Sequence, residues 1–148
     1  MKGGLFLEQL NINNVEFDKN NIVIFNNNDK KFLEEIFYKK LSLDKEVFFF
    51  DELFNGIEYF PKEPQMGGLV KVHSGLIEGL KTYLVSIVMG KRRGISILVN
   101  SNINTLIENE CIDLLREIVN SDSGCNLIIS CDDSSILNDF NFDGYISL

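Results

Sequence analysis

The segment Ile95-Ser96-Ile97-Leu98-Val99 constrains this chain most, because its apolar residues fall on both sides of an extended backbone. A strand of that kind needs cover on two faces. A parallel sheet clad by helices provides it, and a sheet with one wet face does not. Ile22-Val23-Ile24-Phe25, the aromatic run 46–50, and residues 126–130 and 144–148 carry the same buried-strand character.

Helical spacing appears between these strands. After Phe25 come Asn26-Asn27-Asn28-Asp29, then Phe32, Leu33, Ile36, Phe37 and Leu41 at helix period, with Asn28 or Asp29 available as N-cap. From Leu76, the apolar positions Ile77, Leu80, Tyr83, Leu84, Ile87 and Val88 repeat every 3.6 residues behind Ser74 as N-cap, and Gly90 and Gly94 stop the helix. Thr105-Leu106-Ile107-Glu108 reads as a capping box opening a helix through Cys111, Leu114, Leu115, Ile118 and Val119, which Gly124 ends. Strands alternating with helices define an α/β fold: a mainly parallel sheet with helices on both faces. Residues 5–10, 13–17 and 21–25, separated by Asn-rich turns, read as a small antiparallel β meander leading into the core. The clearest loop is Pro61-Lys62-Glu63-Pro64 with Gly67-Gly68 just beyond.

One domain, residues 1–148, accounts for the length, and 12 Phe in a chain 45% hydrophobic supply a real core. With 14 basic against 22 acidic residues, formally −8, the chain is poorly suited to nucleic acid or an anionic membrane surface. Cys111, Cys125 and Cys131 lack metal-ligand spacing and suit thiols kept reduced. His73 is the only histidine, so no His-based metal cluster is expected. The amino-terminal segment, broken by Glu8, offers no secretory core, and no stretch approaches the roughly 18 apolar residues of a membrane span. A cytoplasmic protein without direct membrane insertion is therefore expected.

The order of the pieces resembles the nucleotide-binding domain of ATP-binding cassette (ABC) proteins, a branch of the P-loop NTPases, across almost the whole chain. Ile22-Val23-Ile24-Phe25 with residues 26–31 is similar to the phosphate-loop strand and loop, and residues 56–64 to the approach to the glutamine loop. Val72-His73-Ser74-Gly75 before the helix from Leu76 is similar to the signature segment. Asn100-Ser101 falls at the end of the acidic strand, Cys131-Asp132-Asp133 at the switch segment, and residues 143–148 at the closing strand.

The departures from that pattern are systematic. A phosphate loop uses glycines to converge backbone N–H groups on phosphate, a Lys for the outer phosphates and a hydroxyl for magnesium. Residues 26–31 hold no glycine and no hydroxyl; Lys30 stands at the lysine position and Lys31 replaces the magnesium ligand. Asn100 is neutral where the resemblance implies an acid, and Ser101 lacks the carboxylate that would orient water. Asp132 stands at the switch histidine, and Lys62 at the glutamine, with Gln65 as a neighbouring alternative. Of the signature only Ser74 and Gly75 survive. The nine residues between Pro64 and Ser74 are too few for the family's helical subdomain.

The resemblance with these losses implies a catalytically inactive cassette-like domain, a pseudo-ATPase serving as a protein-interaction, regulatory or structural module. Its expected partner is a protein, such as an active ABC protein or a membrane complex, and no cofactor or metal is required. The rival expectation is a nucleotide or anion sensor that binds ATP or ADP without hydrolysis through Asn27, Asn28 and Lys30, using the pull of a helix N-terminus on anions. A third is an unrelated α/β enzyme with a pocket converging on Asp132, Asp133 or His73. Cys131 reads as structural because adjacent carboxylates disfavour its thiolate. Asp132, Asp133 and Asp139 read as surface acids rather than a cation site, and Lys91-Arg92-Arg93 as a helix-terminal charge cluster or a docking patch.

Overall fold

The computed structural model describes residues 7–25, 30–36, 46–51 and 76–148. Its elements follow in order: β1 (Ile22–Phe25), α1 (Lys30–Glu35), β2 (Glu46–Asp51), α2 (Leu76–Val88), β3 (Ile95–Asn100), α3 (Ile103–Glu108), α4 (Cys111–Asn120), β4 (Asn126–Ser130), a 3-10 turn (Ser134–Asn138) and β5 (Gly144–Ser147). The five strands form one sheet in the order β2-β3-β4-β1-β5, and every pairing is parallel. The α/β reading with a parallel sheet therefore holds.

Strand alternation divides the core into two layers. Val23, Phe48, Phe50, Ile97, Val99, Leu127 and Ile129 face α2, α3 and α4, where Leu84, Leu106 and Leu115 meet them. Ile22, Ile24, Val47, Phe49, Leu98 and Ile128 face the other way, onto Leu33 and Ile36 and onto Phe17 of the amino-terminal segment. Both layers are dry, and each large side chain moved out of water contributes about 1.5–3 kcal/mol. Helices thus clothe both faces, as the doubly apolar β3 demands.

Among the described residues the expected antiparallel meander is not seen. Residues 11–20 run through turns and bends, and among the described residues Gln9 makes a parallel bridge with Tyr145. The Leu10 N–H donates to the Tyr145 carbonyl at 2.8 Å, and the Tyr145 N–H to the Glu8 carbonyl at 2.9 Å. The reason lies in the asparagines. Asn11 Oδ1 accepts from the Asn13 N–H at 2.8 Å, and Asn20 Nδ2 donates to the Glu16 carbonyl at 2.8 Å, so side chains satisfy backbone groups that a ladder would otherwise use.

The segment is instead strapped to the amino edge of the sheet by buried amides. Asn126 Nδ2 donates to the carbonyls of Phe17 at 2.7 Å and Asn20 at 2.9 Å, while its Oδ1 accepts from Ser96 Oγ at 2.7 Å. Asn21 Oδ1 accepts from the Leu127 N–H at 2.8 Å, and its own N–H donates to Asp143 at 2.7 Å. The amino edge is thereby committed to structure.

A second departure concerns the helix expected to run from Thr105. Two helices occupy this stretch, broken at Asn109-Glu110, with Asn102 rather than Thr105 at the first N-cap. Glu110 adopts φ 64°, the left-handed conformation, so the chain turns between α3 and α4. Both halves keep buried apolar faces, Ile103 and Leu106 on one and Cys111, Ile112, Leu115 and Ile118 on the other.

Candidate functional site

In a parallel sheet the strands deliver their carboxyl ends to one edge, and ligands bind where neighbouring strands send their continuations to opposite faces. Here that place lies beside β1 and β4. The chain leaving β1 leads to α1 on one layer, whereas the chain leaving β4 leads to the 3-10 turn, whose Ile136 packs in the other. Next to it, between the ends of β3 and β4, a groove of about 210 Å³ is lined by Asn100, Ser101, Asn102, Asn104, Ser130, Cys131, Asp132 and Asp133, with Ile103.

The parallel register aligns Asp51, Asn100 and Ser130 in one row across β2, β3 and β4. All three are buried. Asn100 Nδ2 donates to Asp51 Oδ1 at 3.0 Å, a bond strengthened by the carboxylate charge. Thus Asn100, expected as the neutral replacement of an acid, is the hydrogen-bond donor to a buried acid on the adjacent strand. The sequence reading missed Asp51 because a charged residue closing an aromatic run looks like the start of a loop. Aligning the ends of 46–51 and 95–100 as parallel neighbours would have placed it beside Asn100.

The other groove residues are also bound to their own backbone. Asn102 Oδ1 accepts from the Asn104 N–H at 2.8 Å and caps α3, and Ser101 Oγ reaches the Asn102 carbonyl at 3.4 Å. Asp133 Oδ1 accepts from the Ser135 N–H at 2.9 Å and caps the 3-10 turn. The backbone N–H of Ser135, with help from its hydroxyl, holds the Asp133 carboxyl below the usual carboxylate range. The Cys131 N–H donates to the Ile24 carbonyl at 3.0 Å, tying β4 to β1.

Burial pushes the Cys131 thiol up to about 11, and the charges of Asp132 and Asp133 add to that effect. Burial likewise raises Cys111 to about 11, with Glu78 and Glu110 adding to it against the opposing pull of Lys81. A thiol that keeps its proton is a poor nucleophile and metal ligand, so the structural reading of Cys131 agrees with its surroundings. Among the described residues no group of three His, Cys, Asp or Glu side chains is arranged to hold a metal ion. Asp139 is engaged by Arg116, whose Nη2 lies 3.0 Å from its Oδ1.

Of the residues singled out from sequence, the structure brings Asn100, Ser101 and Asp132 to one groove. Asn27, Asn28, Lys62, Gln65, His73, Ser74 and Gly75 lie outside the described residues, as does the side chain of Lys30. The basic run 91–93 is largely used internally. Arg92 stacks over the Tyr83 ring at 4.9 Å and lies 3.4 Å from Glu46, which also accepts from the Tyr83 hydroxyl at 2.7 Å. Arg93 donates to the Asp122 carbonyl. No helix among the described residues is long and apolar enough to cross a membrane. No protein-family model, no curated protein and no solved structure matches this chain.

Proposed function

We propose that this chain is a non-hydrolysing, cassette-like α/β domain that works as a protein-interaction or regulatory module. The observation that carries the reading is the commitment of Asn100 to Asp51 at the end of β3. A magnesium triphosphate site would use that position for an anionic partner of the ion and the next residue for a water-orienting carboxylate. This chain offers a neutral amide bonded to Asp51 and a serine hydroxyl that reaches the neighbouring Asn102 carbonyl, with no carboxylate at either position.

The strand order lends support to the cassette-like part of the proposal. It sets the carboxyl ends of β1, β4 and β3 side by side, the arrangement required if the phosphate-loop, switch and acidic-strand counterparts are to meet. Its partner is then a protein, with an active ABC protein or a membrane complex as the class the resemblance implies. Titration calorimetry with ATP and with ADP, each with and without magnesium, tests the module against the sensor that binds through Asn27, Asn28 and Lys30. The module gives no saturable heat. A saturable heat that disappears in Lys30→Ala supports the sensor instead.

A further inference from the structure

The strap that leads into β1 is attached in two unequal parts. Its inner part is clamped: Phe17 is buried in the layer with Leu33 and Ile36, and the Phe17 and Asn20 carbonyls both accept from the buried Asn126 Nδ2. Asn21 is bonded to Leu127 and to Asp143. The outer part, residues 7–15, contains no buried residue; Leu7, Leu10, Ile12 and Val15 are half-buried and the others are exposed. Among the described residues, two hydrogen bonds join it to the body of the domain, from the Leu10 N–H to the Tyr145 carbonyl and from the Tyr145 N–H to the Glu8 carbonyl.

The other bonds of the outer part are local. The Asn13 N–H donates to Asn11 Oδ1, and the Asn14 and Val15 N–H groups donate to the Asn11 carbonyl. These are kept whether or not the segment is docked. A cavity of about 260 Å³ among Glu8, Gln9, Leu10, Asn11, Asn14 and Val15 leaves part of the segment without packing partners. Sparse apolar burial and few bonds to the body mark a unit that opens at a lower free energy than global unfolding.

From this we infer that residues 7–15 are a flap, hinged at Glu16-Phe17, that opens while the clamp and the sheet stay folded. Closed, the flap covers the outward N–H and C=O of Tyr145 and seats Leu10 on Gly144, where an added methyl group would meet Leu10 Cγ at 2.4 Å. Open, it bares the outer edge of β5, the kind of strand edge that folded proteins otherwise keep covered. The flap is thus a conformational switch on that edge, and it does not depend on the non-hydrolysing reading of the domain.

Native-state hydrogen exchange of the full chain, followed by nuclear magnetic resonance at urea concentrations below the unfolding transition, tests the inference. The Leu10 and Tyr145 amides should exchange at least about tenfold faster than the Leu127 and Ile128 amides of the central strand β4. Urea should scarcely change the rate at Leu10 and Tyr145, because flap opening exposes little surface, and should accelerate exchange at Leu127 and Ile128. Ile129→Val, a mild truncation in the core, should speed exchange at Leu127 and Ile128 about fivefold. It should leave Leu10 and Tyr145 unchanged, since the flap-open state keeps residue 129 buried.

If Leu10 and Tyr145 instead respond to urea and to Ile129→Val as β4 does, the strap unfolds only with the whole domain and the inference is overturned. Exchange of both amides at the rate of an unprotected chain overturns it as well, because the closed state would then be absent.

Discussion

Asn100 on β3 donates its amide to the carboxylate of Asp51 on β2 at 3.0 Å, and both side chains are almost fully shielded from water. The pair explains why an amide occupies the end of the central strand. A second carboxylate there would face the first at hydrogen-bonding distance in a dry setting, where like charges cannot both persist at low cost. Asn100→Asp should therefore lower stability by about 2–4 kcal/mol near neutral pH. The penalty should shrink between neutral and acidic pH, because a proton shared by the new pair removes its like-charge repulsion. Urea denaturation at the two pH values checks this, and an Asn100→Asp protein as stable as the parent contradicts the role given to the pair.

The buried thiols make stability depend on alkaline pH. In the folded chain Cys111 and Cys131 titrate at about 11 against 9.0 without the fold, so between those values the unfolded chain releases protons that the native one retains. A group with a raised folded-state pKa stabilises fully below its unfolded value and loses that contribution as pH rises through the folded one. Stability should thus fall between pH 9 and 11 by up to about 2–3 kcal/mol per thiol. Cys131→Ser should flatten part of that slope. Alkylation of the native protein at neutral pH should reach the half-buried Cys125 before either buried thiol.

Glu110 bears a side chain in the left-handed region, where the backbone conformation costs a residue of its kind about 1 kcal/mol. Its exposed ion pair with Lys81, at 3.2 Å, returns only a fraction of that. Glu110→Gly should raise the denaturation midpoint, with a net gain of about 0.5 kcal/mol. A midpoint that drops would show that the Glu110 side chain contributes more than its contacts indicate.

How far these features could be read in advance depended on whether a residue's neighbour lay along the chain or across the sheet. The Leu76–Val88 helix and the Asn126–Ser130 strand have the extents expected of them, because local periodicity and glycine punctuation decide both. The break at Asn109-Glu110 was hidden, since the apolar spacing runs on through it and no glycine marks the left-handed residue. The alternation in residues 11–20 suggested a meander because it buries Phe17 and partly buries Ile12 and Val15, while the asparagines hold the backbone in turns. Asp51 was invisible for a different reason: its meaning comes from the register of β2 against β3, not from its own neighbours.

The strap over β5 supplies a test of that cross-sheet logic. A methyl group added at Gly144 would meet Leu10 Cγ at 2.4 Å, so the glycine is required by the close passage of the strap. Gly144→Ala should cost about 1–3 kcal/mol by overpacking. Leu10→Ala in the same chain should recover part of the loss, a coupling readable from a double-mutant cycle. Strict additivity of the two changes contradicts the contact.

The most direct measurement is phosphate release from ATP by the purified chain in the presence of magnesium, for the parent, Asn100→Ala and Ser101→Ala. The account predicts that all three match buffer alone. Steady magnesium-dependent turnover by the parent, abolished by either substitution, would contradict it.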